Sequence, residues 1–164
     1  MKLLRVNRSS LVFEMGRREK TLLQQLLSLY PRIPPGHHRI SRNQGEGGGD
    51  KEKQRLLDEA LTTQREQNRK EVTSLLEAST QSDSSKAGWR LTLTRAQVEC
   101  LLQVLNDVRV GSWLLLGSPD TEQSEQVTLT EETGPHYWAM ELAAMFESFL
   151  LTALDGRKSN ATGD

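Results

Sequence analysis

The chain has 164 residues, 21 Lys plus Arg against 22 Asp plus Glu, eight aromatic side chains and a single cysteine, a length that suits one domain of ordinary size. One cysteine excludes a disulfide framework and a thiolate zinc cage, no run approaches the roughly 20 apolar residues that cross a bilayer, and the first ten residues lack the apolar centre of a secretory signal. The expectation is a cytoplasmic protein that still builds a core, because its low 35% hydrophobic content reflects a few polar stretches between Leu-dense segments.

In chain order, residues 3–6 and 11–15 partly alternate apolar with polar side chains around Asn7, Arg8, Ser9 and Ser10, which predicts a hairpin. From about Arg17 the period lengthens. Leu22, Leu23, Leu26, Leu27 and Tyr30 recur at spacings of three and four, a helix with one buried stripe that Pro31 ends. Residues 31–50, with Pro34, Pro35, Gly36, Gly45 and glycines at 47–49, read as loop. Helical pattern returns after Asp50, a candidate N-cap, with Leu56, Leu57, Ala60 and Leu61 on one side. No apolar side chain occurs from Thr62 to Glu71 before Val72, Leu75 and Leu76 restore the stripe. The segment is either one long helix with a solvated waist or two helices; a continuous helix has nothing apolar to pack there, so a break is expected near residues 67–69. Residues 79–88 form a second linker.

A strand is expected at 90–94, with Trp89, Leu91 and Leu93 on one face, and Thr94 with Gln97 has the spacing of a capping box. The helix after it is the most apolar of the chain. Val98, Leu101, Leu102, Leu105, Val108, Ser112, Trp113 and Leu116 cover more than half of its circumference, which places it at the centre of the core. Gly117, Ser118 and Pro119 close it, and an acidic loop from Asp120 carries a short expected strand at 126–129. The last helix starts near Pro135, turns Trp138, Leu142, Met145, Phe146, Phe149 and Ala153 inward, and gives way after Leu154 to a loose polar tail.

One internal echo runs through this pattern. Residues 12–27 resemble 91–105, allowing a one-residue shift at the turn, with Leu22-Leu23-Gln24-Gln25-Leu26 set against Leu101-Leu102-Gln103-Val104-Leu105. It implies two short strands side by side at one end of a helical body. The fold expected is mainly α (α+β): four or five helices around a central apolar helix, with a small antiparallel sheet of two to four strands at one end. One helical domain spans 1–154, with loops at about 31–50, 79–88 and 117–134 and a loose tail at 155–164.

Charge is uneven along the chain. Residues 1–42 hold nine Lys or Arg against Glu14 and Glu19, a balance of +7, whereas residues 95–164 hold four bases against eleven acids, a balance of −7. Two faces that attract each other, within the fold or between subunits of a homo-oligomer, account for this better than polyanion binding in a chain without an overall basic excess. Nucleic-acid binding through the basic residues between Arg5 and Arg42 is the alternative.

Few residues offer chemistry. Arg109 falls on the same helical face as Leu102, Leu105, Ser112, Trp113 and Leu116, and a buried guanidinium needs a carboxylate, for which Glu141 or Glu147 is the expected source. An internal ion pair is preferred over a ligand-anchoring arginine. Asn106 and Asp107 point away toward Glu99 and Gln103, either as a polar recognition spot or as a solvated edge bonded to a neighbouring loop. His37, His38 and His136 lack the spacing of a metal site. Cys100, beside Ala96 and Val104, reads as a small hydrophobe. The Gly45–Gly49 cluster lacks the strand and the Gly-Lys-Ser/Thr ending of a phosphate loop, and the glycosylation pattern at Asn160-Ala161-Thr162 is a chance match. No catalytic residue, cofactor or metal ligand is therefore expected. A non-enzymatic interaction or regulatory protein with a protein partner is the leading reading, ahead of the nucleic-acid regulator and of a small enzyme with an Arg109/Glu141 pocket also holding Asp107.

Residues 91–109, with Leu-Asn-Asp-Val-Arg at 105–109, followed by Tyr137 and Trp138 opening an apolar terminal helix, resemble a bacterial domain-of-unknown-function family typical of actinobacteria. Its genes commonly lie beside that of the adaptor of the Clp protease. The family pattern is an N-terminal strand and helix, a charged middle helix, and a leucine-rich helix carrying Leu-Asn-Asp-x-Arg before a tryptophan-containing helix. This chain departs from it in a more Gly-rich loop at 36–50 and in residues 62–78, which match only in being charged and helical. The resemblance implies a regulatory or accessory role near ATP-dependent Clp proteolysis, an inference from gene neighbourhood rather than from a site.

Overall fold

The alternation of β2 (Ser10–Gly16) buries Leu11, Phe13 and Met15 and leaves Val12 and Glu14 toward the open face, as expected of an antiparallel strand with one covered side. In the computed structural model, which describes residues 1–7, 9–34, 48–81, 88–119 and 128–161, β2 pairs on one side with β1 (Lys2–Val6). On the other it pairs with β4 (Gly88–Thr94), whose Leu91 and Leu93 join the same covered face. A two-residue strand, β3 (Thr80–Gln81), adds to β4, so the sheet order is β1-β2-β4-β3 and every pairing is antiparallel. Among the described residues four helices complete a mainly helical α+β fold: α1 (Arg17–Ser28), α2 (Gly48–Glu77), α3 (Arg95–Leu115) and α4 (Gly134–Ala161).

Among the described residues the order of elements is ββαα twice over. Phe13 lies opposite Leu91 at the middle of the β2–β4 ladder, and the strand order reads the same from either edge. Each unit turns from strand directly into helix at the same place, Gly16 in one and Thr94 in the other, an offset of 78 residues. Three residues on, Glu19 accepts the N–H of Gly16 at 2.7 Å and Gln97 accepts that of Thr94 at 2.8 Å. Thr94 Oγ1 also accepts from the N–H of Gln97, completing the capping box, whereas Gly16 has no side chain with which to reciprocate. The helical equivalence sets Leu23, Leu26 and Leu27 against Leu101, Val104 and Leu105, all buried. The sequence alignment, which set Leu22 against Leu101, is out by one residue because Leu22 lies at the flank of the buried stripe, only partly covered.

Helix α3 packs against α1, α2, α4 and β4. Val98, Leu101, Val104, Leu105 and Val108 are buried, but Trp113 sits at the rim with 36% exposure. Gly117, with φ of +87°, turns the chain out of the helix, and Ser118 N–H bonds back to the Trp113 carbonyl at 3.0 Å.

Several expectations are corrected. Helix α2 is one continuous helix of 30 residues starting at Gly48, without a break at 67–69 and without Asp50 as its cap. Its polar middle is not a solvated waist: Asn68 is buried, and Arg65 and Arg69 donate to the backbone carbonyls of Ile33 and Tyr30. Helix α4 is rotated from the expected phase, burying Ala139, Ala143, Phe146, Leu150 and Ala153 while Trp138 and Met145 stand 58% and 51% exposed. Two apolar stripes compete on that helix, and the one rich in alanine wins because small side chains let its backbone approach α3 closely. The helix also runs to Ala161, past the expected loose tail from 155. Residues 128–130 are not in a strand, and the rest of that expected strand lies outside the described residues.

Candidate interaction site

After α1 the chain passes over α3, and the polar side chains singled out in the sequence gather around this crossing. Asp107 does not point to solvent beside Asn106. Its Oδ1 accepts the backbone N–H groups of Arg32 at 2.6 Å and Ile33 at 3.2 Å, and its Oδ2 lies 3.8 Å from the Arg65 guanidinium. Arg65 in turn donates to the Ile33 carbonyl at 3.0 Å, so residues 30–33 are held from both sides. The crossing is close because residue 111 is glycine: a Cβ there would lie 2.7 Å from the backbone carbon of Arg32. Arg32 extends onward to donate to Nδ1 of His136 at 2.6 Å, which places the ring proton on Nε2. Burial lowers the pKa of the Arg32 guanidinium, whose Nε is covered and without a partner.

Beneath this crossing lies a second polar cluster. Gln64 donates to Asn68 Oδ1 at 2.8 Å, Asn68 Nδ2 reaches the Tyr30 hydroxyl at 3.4 Å, and the Cys100 thiol contacts Asn68 Oδ1 at 3.7 Å. Burial raises the pKa of Tyr30, opposed by its bond to Asn68. Burial first, then the neighbouring Glu71 carboxylate, pushes the Cys100 thiol up to about 11. A thiol held protonated in this way is no nucleophile at neutral pH.

Arg109 is not buried. Its guanidinium is 42% exposed and lies 2.8 Å from Glu147 Oε2, while its Nη2 donates to Asn106 Oδ1 at 2.8 Å. The contact with Glu147 is an ion pair by distance, but the Nε–H does not point along it, and Glu147 Oε1 is covered and unbonded. Burial raises the Glu147 pKa, with Arg109 opposing it. The expected Arg109/Glu141 pocket is therefore not formed. Glu141 lies about 120° around α4 from Glu147, exposed on the side away from Arg109. Arg109 instead lines, with Val110, Trp113 and Met140, a hollow of about 180 Å³, smaller than the roughly 300 Å³ at which small-molecule sites begin. A larger groove of about 540 Å³ separates α1 from α2, floored by Leu27, Val72 and Leu76 and rimmed by Arg69, Thr73 and Glu77. No cluster of three or more His, Cys, Asp or Glu that could hold a metal ion occurs among the described residues, and His37 and His38 lie outside them. No helix among the described residues is long and apolar enough to cross a membrane.

What the sequence reading missed is the other flank of α4. Trp138, Glu141 and Met145 follow one another at spacings of three and four and share one outward side of the helix, with Leu142 and Phe149 partly buried beside them. Phe149 packs edge-on against Phe13 at 5.8 Å, and Tyr137 edge-on against Trp138 at 5.7 Å, which anchors both ends of this stripe. The signal was present as an excess of apolar positions: α4 carries more than one buried stripe can absorb.

Comparison with models of known protein families, with curated proteins and with solved structures finds no match.

Proposed function

We propose that this chain is a non-catalytic interaction protein whose contact surface is the Trp138–Glu141–Met145 flank of α4. The observation that carries the reading is a tryptophan and a methionine more than half exposed, two turns apart on one side of a well-packed helix, the kind of side chain that supplies binding energy when a partner covers it. Three of the polar side chains discussed above are held within the fold: Asp107 holds the 30–33 crossing, Asn68 binds Tyr30, and Arg109 binds Asn106. The alternative, nucleic acid bound through the basic residues between Arg5 and Arg42, includes Arg5 on the open face of the sheet, where Lys2 and Arg90 sit on either side of Glu14 in register. An acid between two bases weakens a phosphate-binding strip, which favours the protein partner.

The test is capture from a bacterial lysate on immobilised wild type and Trp138→Asp, each with and without nuclease. Retained protein that survives nuclease and is lost with Trp138→Asp supports this reading. Bound material that disappears with nuclease supports nucleic acid. The family resemblance names the Clp machinery as the partner to look for, and mass-spectrometric identification of the retained chain tests that link.

A further inference from the structure

The two ββαα units carry opposite charge. Residues 1–77 hold fifteen bases and ten acids, and residues 78–164 hold six bases and twelve acids. Among the described residues, one basic and one acidic side chain meet across the units. Arg65 and Asp107 approach across the units, but Arg55, Arg95 and Arg109 all pair with acids of their own unit. Arg5 and Glu141 are exposed and form no ion pair with another described residue.

Each unit also exposes apolar side chains beside these charges. In the first, Leu4 and Val6 precede and follow Arg5 along β1, the outer edge of the sheet, at 41% and 38% exposure; Arg5 shares the open face with Val12, and Val6 shares the covered face with Leu11. A register shift between Leu3 and Arg5 makes Leu4 the extra residue of a bulge, which spoils that edge for simple strand addition. In the second, Trp138 and Met145 flank Glu141 on α4. One surface is basic and apolar, the other acidic and apolar, and each is of the kind the other would bury.

We infer that the occupant of the α4 flank is a second copy of this chain, with β1 of each copy seated on α4 of the other. This rests on the reading of that flank as the contact surface and adds what covers it. In this arrangement the two contacts are related by a two-fold axis, so that Arg5 of one copy faces Glu141 of its partner, twice. The apolar pairs supply burial, and the charges fix which surfaces meet.

The test uses charge reversal on the full chain. Light scattering on wild type is expected to show the mass rising with concentration from 18.5 kDa toward twice that value, less readily at high salt. Glu141→Lys alone and Arg5→Glu alone place like charges opposite each other at both contacts, and each is expected to weaken self-association about tenfold or more. When the two variants are mixed, one contact of the mixed dimer joins the native Arg5 to the native Glu141, and the other joins the two introduced side chains, again of opposite charge. The mixture is therefore expected to return to wild-type association. Melting curves confirm that both variants fold, as their exposed positions require. A wild type that stays monomeric at every concentration overturns the inference, as does a mixture no stronger than either variant alone. Those outcomes leave the contact-surface reading standing; that reading falls separately, if Trp138→Asp neither weakens self-association nor loses any protein that the wild type captures.

Discussion

Asp107 and Arg32, 75 residues apart in sequence, are joined by a 2.6 Å hydrogen bond from the Arg32 backbone N–H to the Asp107 carboxylate. With the neighbouring bond from Ile33, it fixes where the chain goes after α1. A mostly buried carboxylate receiving two backbone donors contributes more than a neutral bond would. Asp107→Ala leaves both donors covered without an acceptor and is expected to lower the unfolding free energy by about 2–4 kcal/mol. Asp107→Asn keeps an acceptor and is expected to cost less. Urea denaturation of the three proteins checks this, and equal midpoints would show that the crossing holds without Asp107.

Gly111→Ala tests the same crossing by steric means. The added methyl meets both the backbone carbon and the Cβ of Arg32 at 2.7 Å, so α3 or the 30–33 segment has to shift. The expected loss is about 1–3 kcal/mol, the range for overpacking a well-filled interior. Alanine is otherwise the better helix former, so a stabilised variant would refute the close approach.

The Arg109–Glu147 pair predicts a pH dependence of definite sign. Burial raises the Glu147 pKa above its ordinary value, so the folded chain holds that proton more tightly than the unfolded chain. The associated stability is present below the ordinary carboxylate range and is lost as pH rises through the raised value. Arg109→Ala removes the opposing attraction, raises that pKa further and deepens the loss. The variant is expected to lie closest to wild type in acid and to fall about 1–2 kcal/mol below it at neutral pH, less than for a fully buried pair because Arg109 is 42% exposed. Denaturation midpoints on either side of the carboxylate range check the sign.

Cys100 is expected to resist Ellman's reagent at mildly alkaline pH and to react fully in denaturant. Its thiol is 7% exposed and its pKa is pushed up to about 11, so little thiolate is available to attack. Rapid labelling of the native protein would mean that Asn68 and Glu71 do not enclose it.

Leu105→Ala and Trp138→Ser should separate core from contact surface. Leu105 is fully buried, and its truncation is expected to cost about 2–5 kcal/mol. Trp138, more than half exposed, is expected to cost less than about 1 kcal/mol. Thermal melts decide it, and a large loss at Trp138 would return that side chain to the core.

The hairpin, the stripe of α1 and the capping box at Thr94 and Gln97 were legible because each is written in neighbouring residues. The continuity of α2 was not. Its polar middle is supported by Arg65, Asn68 and Arg69, which bond the carbonyls of Ile33 and Tyr30 and the hydroxyl of Tyr30, partners at least 32 residues away in sequence. The same holds for the candidate site. Periodicity drew attention to Arg109 and Glu141, but it could not tell Glu147 from Glu141 as partner, nor that Asp107 turns toward a segment 75 residues away.

Local sterics and the spacing of apolar side chains determine, from the amino-acid order alone, where helices and strands form and how they begin. Tertiary packing decided the rest. On α4 the alanine stripe at 139, 143 and 153 went inward and Trp138 went outward, because close approach of two helices depends on the size of both surfaces, and only one of those surfaces belongs to the helix being read.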